Sequence, residues 1–178
     1  MRKLLTFSAA AALAVCASCA YVKANAKAGI AKVDTPTGEL VRPTLATEPG
    51  SGYYLTFTTL NGQKSPLHAV FEAWNPSQIF PDRVIVRAND QVIEIPIPAK
   101  DWQYRAVAGY GDAAIDIPPL WNERTDTALG ETHPEAVKAM CSASELSVEI
   151  VGLQGKTTIN KPVFLEDVKL VCEAYAAK

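Results

Sequence analysis

The sequence predicts an α+β domain that is mostly antiparallel β-sheet, with about eight short strands and two helices late in the chain. The sheet is expected to be sandwich-like or a meander. Apolar and polar residues alternate over short runs between residues 53 and 97. The pairs Asn61-Gly62 and Asn89-Asp90 interrupt these runs and are typical of hairpin turns. After residue 132, apolar side chains recur with helical spacing.

The alternation predicts hairpins in the middle of the chain. The first pairs a run that begins at Tyr53 with a run that begins at Leu67, and the second lies between residues 84 and 97. Pro96 and Pro98 cannot donate to a ladder, so the strand that carries them is expected to end at a sheet edge or to lie on it. Further strands are expected at residues 102–107 and 113–117, and a last hairpin at residues 146–160.

Two helices are expected in the last third of the chain. Thr132-His133-Pro134-Glu135 matches a capping box, in which a Thr and a Glu three residues later satisfy free backbone amides at a helix start. The final helix has the clearest amphipathic pattern. Its apolar face comprises Phe164, Leu165, Val168, Val171, Cys172 and Tyr175.

The first 26 residues have the pattern of a secretory signal peptide. Arg2 and Lys3 precede an apolar, alanine-rich run that is too short to anchor the chain across a bilayer. Small residues favour cleavage after Ala26, and cleavage after Ala20 is the second site. The sequence therefore predicts an exported protein, either periplasmic or secreted.

A lipid anchor at Cys19 is the alternative for this N-terminus. The residues before Cys19 resemble a bacterial lipobox, although Cys16 stands where leucine is expected. Such an anchor is the one membrane attachment we expect, since no later apolar stretch reaches about 18 residues. Residues 27–51 are expected to form a flexible lead-in or tether, with a short edge strand near Leu40. Residues 52–178 are expected to form a single globular domain.

Charge argues against a nucleic-acid partner. Removal of residues 1–26 leaves 14 basic and 19 acidic residues, a net charge of −5. There is no basic run or stripe in the sequence to neutralise a phosphate backbone.

Cys141 and Cys172 are predicted to form a disulfide. Both lie on apolar faces of predicted helices, and cleavage after Ala20 or Ala26, or lipidation at Cys19, leaves an even number of cysteines to pair. An exported chain folds in an oxidising compartment, where such a pair is expected to bridge. Two separate buried thiols are the alternative.

The sequence contains no recognisable catalytic, metal or cofactor motif. His68 shares a predicted strand face with Glu72, but four strand residues separate them by about 13 Å, too far for a hydrogen-bonded pair. The acidic residues between 112 and 126 match no calcium loop. We therefore expect no metal site and no cofactor.

Aromatic residues give the one candidate contact surface. Trp102, Tyr104, Tyr110 and Trp121 fall in a turn-rich region, where exposed rings would bind a protein or carbohydrate partner. The alternative is that these rings fill the core. The leading hypothesis is a non-catalytic exported domain that binds a partner at the cell envelope. A small envelope hydrolase with unassigned carboxylate or histidine residues, and a lipid-anchored structural protein, are the alternatives.

Overall fold

The structure, a computed structural model, describes residues 28–44, 50–107, 111–112, 115–116 and 120–177. In this part of the chain, eleven strands form two antiparallel sheets, and two further short strands pair with each other. The strands are β1 (Ile30–Thr35), β2 (Gly38–Pro43), β3 (Gly52–Leu60), β4 (Gln63–Lys64), β5 (His68–Asn75), β6 (Pro81–Ala88), β7 (Gln91–Pro96), β8 (Gln103–Val107), β9 (Gly111–Asp112), β10 (Ile115–Asp116), β11 (Leu120–Thr127), β12 (Leu146–Gly152) and β13 (Gly155–Ile159).

The helices are α1 (Leu129–Thr132), α2 (Pro134–Ser142) and α3 (Pro162–Ala176), with a 3-10 turn at Ala99–Asp101. The predicted α+β class, β-rich with two late helices, is confirmed by α2 and α3. The capping box is wrong: His133 precedes α2, and the Thr132 hydroxyl donates instead to the Ala128 carbonyl, closing α1. No helix in the described residues is long and apolar enough to span a membrane.

The larger sheet has the strand order β1-β2-β3-β5-β11-β8, with β4 paired to β3. Its inner face follows the alternation of the sequence. Tyr53 and Leu55 are fully buried, and the register sets them opposite Phe71 and Ala69. The smaller sheet has the order β13-β12-β6-β7. Both sheets and helices α1 to α3 contribute to one buried hydrophobic cluster.

Helix α3 packs on β2 and β3 of the larger sheet, and its Phe164 ring lies 5.3 Å from that of Tyr53. The predicted disulfide is present: Cys141 on α2 and Cys172 on α3 are bridged, with their Cα atoms 5.8 Å apart. The bridge therefore fixes α2 against α3.

Strands β8 and β11 form the end of the larger sheet, and the separate pair β9 and β10 lies between them in the sequence. Val107 of β8 pairs with Leu120 of β11, and farther out Gly111 pairs with Asp116 in the same register. The predicted strand at 102–107 corresponds to β8, whereas the one at 113–117 corresponds only to the short β10. The sequence pattern does not predict β11, because its buried positions are occupied by polar Glu123 and Thr125 rather than apolar residues.

Residues 30–43 differ from the expected tether. They form β1 and β2, which extend the larger sheet beyond β3. The strand predicted near Leu40 corresponds to β2, but its predicted edge position is wrong, since β2 pairs with both β1 and β3 and the edge is β1. Because β1 contains polar and small residues, its hydrophobicity pattern does not predict a strand. An edge strand needs few apolar side chains to pair.

Candidate functional site

Three of the four aromatic residues predicted to form a surface are described by the structure, and these three do not lie together in the open. Trp102 is 4% exposed and belongs to the core, which corrects its assignment to the surface. Trp121 is half-buried on β11, and Tyr104 on β8 is 39% exposed. Tyr110 and Cys19 lie outside the described residues. Of the predicted set, Tyr104 is the one residue in the described part of the chain that is exposed rather than buried or half-buried.

Tyr104 instead belongs to a patch that the sequence did not indicate. The Phe80 ring, 37% exposed, lies 6.3 Å from the Tyr104 ring at an interplanar angle of 42°. Leu153, 82% exposed, is linked to Phe80 through the backbone, since its amide donates to the Phe80 carbonyl at 3.2 Å. We call Phe80, Tyr104 and Leu153 the Phe80 patch. It brings together three of the large hydrophobic side chains that the described surface exposes.

The backbone of Phe80 adopts a conformation that is unfavourable for a bulky residue. Its φ angle is 50°, in the left-handed region, where non-glycine residues are uncommon. The left-handed conformation costs about 1–2 kcal/mol for a residue with a Cβ atom. Because Phe80 also precedes Pro81, its backbone freedom is restricted further. The surrounding structure must therefore hold this residue in place.

Glu123 fixes the backbone of residues 79 and 80 by hydrogen bonds to their amides. This residue is fully buried, and its carboxylate accepts the Ile79 amide through both oxygens at 3.1 Å and the Phe80 amide at 2.9 Å. Successive amides that converge on one anion form a nest, a motif that binds negative charge. Here the anion is supplied by β11 of the same chain.

The β12–β13 hairpin fixes the same two residues by hydrogen bonds to their carbonyl groups. Leu153 and Gln154 donate their amides to the carbonyls of Phe80 and Ile79. Gly152 makes this approach possible, since a Cβ atom at that position would overlap both carbonyl oxygens. Phe80 is thus fixed by contacts from both sheets.

The buried carboxylate of Glu123 also affects the phenol of Tyr104. Burial first, and then the charge of Glu123, raises the pKa of the Tyr104 phenol. The phenol therefore stays neutral through the physiological range, and its ring acts as an apolar surface with a hydrogen-bonding tip.

The opposite face of the larger sheet carries a group of paired polar side chains. The Arg124 guanidinium donates to the Tyr54 hydroxyl at 2.9 Å, and the Asn122 amide donates to Glu72 at 2.7 Å. Burial is the main cause that raises the pKa of Tyr54. Tyr54, Glu72 and Asn122 are each at most 9% exposed, so their interactions stabilise the sheet.

His68 lies at one end of this face. It pairs with Asp126 on β11 and not with Glu72 on its own strand. Its Nδ1 atom lies 2.9 Å from Asp126 on β11, and both side chains are substantially exposed. As the strand geometry predicts, His68 and Glu72 do not pair. The described residues show no serine, threonine or cysteine hydrogen-bonded to His68. A histidine paired with a carboxylate alone lacks the nucleophile of a catalytic triad.

The described structure also has several open grooves, and two of them border the disulfide and His133. One, of about 570 Å³, lies over the disulfide between α2 and α3 and is lined by residues such as Val137, Lys169 and Tyr175. The other, of about 490 Å³, lies beside Asp126 and His133. Among the described residues, no group of three or more His, Cys, Asp or Glu side chains is placed to hold a metal ion.

No protein-family model, curated protein or solved structure matches the chain.

Proposed function

We propose that this chain is an exported, non-catalytic domain that binds a protein partner at the cell envelope through the Phe80 patch. The observation that carries the proposal is the left-handed backbone of Phe80, which a buried carboxylate and a hairpin tip hold in place. Strained residues that the surrounding structure fixes are concentrated at functional sites. Here the fixed residue is a solvent-exposed aromatic ring, the side-chain type that anchors protein interfaces.

Ring geometry favours a protein over a carbohydrate. The planes of Phe80 and Tyr104 are inclined at 42°, so the two rings do not form one flat platform for a sugar. Trp102 is buried, and Trp74 and Trp121 are half-buried. The two inclined, exposed rings are apolar and suit contact with apolar side chains of a protein partner.

Export rests on the charged and apolar pattern of residues 1–26. Intact mass spectrometry of the protein from its own soluble and membrane fractions tests it. We expect a soluble chain that begins at residue 27, or at residue 21 if cleavage follows Ala20. A chain that begins at Cys19 and carries acyl groups would replace this with the lipid-anchored form. A chain that retains residues 1–18 would overturn export.

Site-specific photo-crosslinking in the source organism tests the partner-binding surface. A photoreactive phenylalanine replaces Tyr104 or Leu153 in the patch. The matched controls carry it at Leu60 and Val92, which are 53% and 59% exposed at other places on the molecule. We expect the same discrete protein adduct from both patch positions and from neither control. The adduct should disappear when Phe80→Ala is combined with the probe at Leu153.

The alternatives give different results. Equal adduct yields from patch and control positions, or no adduct from any of them, would overturn the proposal and favour a structural role. A hydrolase is the second candidate, because His68 and Asp126 form a histidine–carboxylate pair. If the protein hydrolyses acetyl or glycosidic chromogenic substrates and His68→Gln abolishes this activity, the chain is an enzyme. We expect His68→Gln to leave the crosslinked adduct unchanged.

A further inference from the structure

Strand β8 ends the larger sheet, and one of its edges has no strand paired to it in the described part of the chain. It pairs with β11 on one side, and no strand of the described chain pairs with its other side. Four of its five residues are exposed and Val107 is half-buried. Its outer edge therefore presents unpaired backbone N–H and C=O groups to solvent, the template that a further strand uses for pairing.

Of the other edges of the two sheets, β1 and β7 carry more of the features that discourage such pairing, whereas β13 resembles β8 in having no proline and a single charge, Lys156. Proline and charged side chains are the usual protection of an edge strand. Strand β7 has Pro96 and Glu94, and β1 has Lys32 and Asp34. Strand β8 has no proline and a single charge, Arg105. It is also the edge that adjoins the Phe80 patch, since Tyr104 belongs to both.

The two faces of β8 differ in chemistry. The register sets Tyr104 opposite Glu123 and Arg105 opposite Asn122, so Tyr104 lies on the inner face and Arg105 on the outer face. The inner face continues into the apolar ring of Phe80. Arg105 is exposed and forms no ion pair within the described part of the chain. A strand added here would need apolar residues on one face and an acidic residue on the other.

We propose that the partner binds by β-augmentation: an extended partner segment pairs with the open edge of β8. Its apolar side chains lie on Tyr104 and Phe80, and an acidic side chain on its other face pairs with Arg105. This inference rests on the proposed function and specifies the partner's chemistry. Main-chain hydrogen bonds supply affinity in this binding mode, and alternate side chains supply specificity.

A second copy of this chain fits the edge poorly. In the antiparallel arrangement that overlaps all five residues of β8, Arg105 of one copy faces Arg105 of the other. Like charges directly opposite each other across strands are destabilising. The charge on β8 therefore favours an acidic segment of a different protein over self-association.

Nuclear magnetic resonance titration of the isotope-labelled mature protein tests this mode. The probe is a capped nine-residue peptide that alternates valine with glutamate. One control peptide has lysine in place of glutamate, and another has N-methyl groups on alternate backbone amides. We expect shifts and slowed hydrogen exchange at the amides of residues 103–107, with the edge strand β7 unaffected. The lysine peptide should bind about fivefold more weakly, and the methylated peptide should not bind.

A charge exchange completes the test. Arg105→Glu should reverse the preference, so that the lysine peptide binds more tightly than the glutamate peptide. Absence of binding by all peptides, equal binding of the methylated peptide, or shifts away from β8 would overturn β-augmentation. Adducts at Tyr104 and Leu153 would still support partner binding in that case, so the two proposals fail separately. Concentration-dependent dimerisation that the uncharged variant Arg105→Gln strengthens would assign the edge to a second copy instead.

Discussion

At the scale of single residues, Phe80 and Glu123 form one unit. The left-handed backbone of Phe80 is costly, and the three hydrogen bonds that Glu123 accepts from two amides offset this cost. A buried carboxylate is tolerated here because backbone donors satisfy it. The same pair thus explains how a polar residue occupies a core position of β11 and how an aromatic ring is held at the surface.

Replacing Glu123 by glutamine tests this unit. The nitrogen of the new side-chain amide cannot accept from Ile79, so two donors face each other where Oε2 stood. The hydrogen bonds to the remaining oxygen also lose the negative charge of their acceptor. We expect Glu123→Gln to lower the free energy of unfolding by about 1–3 kcal/mol, measured by urea denaturation. Glu94→Gln is the control, since Glu94 is 62% exposed in its ion pair, and should change stability by less than about 0.5 kcal/mol. Equal effects of the two variants would contradict the role of Glu123.

Tyr53 makes stability depend on alkaline pH. Burial raises the pKa of its phenol well above the ordinary 10.0. The folded chain therefore keeps this proton when the unfolded chain releases it. Stability is fully present below pH 10 and is lost as the pH rises above that value. Denaturation at a series of alkaline pH values should show this fall, and Tyr53→Phe should make it shallower. An unchanged slope in that variant would refute the assignment.

At the scale of elements, α3 depends on a residue from a distant hairpin. Its last turn contains no basic side chain to balance the negative end of the helix. The Lys64 ammonium, from β4, donates to the carbonyls of Ala174, Tyr175 and Ala177. The same ammonium lies 5.8 Å from the ring centres of Phe57 and Tyr175. The β3–β4 hairpin therefore caps the helix and fixes it to the sheet.

Removal of this cap should loosen the end of α3. We expect Lys64→Met to lower the free energy of unfolding by about 1 kcal/mol and to speed hydrogen exchange of the amides near residue 174. Lys156→Met is the matched control, since Lys156 is 59% exposed and its bond to Glu149 is long at 3.4 Å. If exchange in α3 stays unchanged, the cap contributes nothing to the helix.

At the scale of the whole molecule, the disulfide restrains the second half of the chain. Cys141 and Cys172 are 31 residues apart, and the β12–β13 hairpin lies between them. That hairpin also supports Phe80 through Leu153 and Gln154. The bridge thus restricts the unfolded chain over the segment that completes both the core and the Phe80 patch.

Loss of the bridge should be costly. The chain-entropy model gives about 3–4 kcal/mol for a loop of this length. We expect the double variant Cys141→Ser and Cys172→Ser to lose stability of this order in equilibrium urea denaturation. Reduction of the wild-type chain should give a similar loss, whereas the double variant should not respond to the reductant. A loss below about 1 kcal/mol would show that the bridge adds little to the folded state.

The sequence by itself determined the elements that bury one regular face of apolar side chains. Alternation predicted the hairpins that contain Tyr53 and Val84, and helical spacing predicted α3, because each buries a regular set of apolar side chains. The disulfide was predicted from an even number of cysteines on apolar helix faces in a chain expected to be exported, and the structure confirms it. Export through residues 1–26 stays a prediction from the sequence.

Only the tertiary structure decided where the site lies. Trp102 and Tyr104 are two residues apart, yet Trp102 is buried in the core and Tyr104 lies open at a sheet edge. Glu123 is as polar in the sequence as the exposed Glu94, and only folding brings the amides of residues 79 and 80 to it. Local periodicity records the face on which a side chain lies. It does not record which distant backbone amides will bind that side chain. The contact between Glu123 and the amides of residues 79 and 80 is of this kind, and it fixes the position of Phe80.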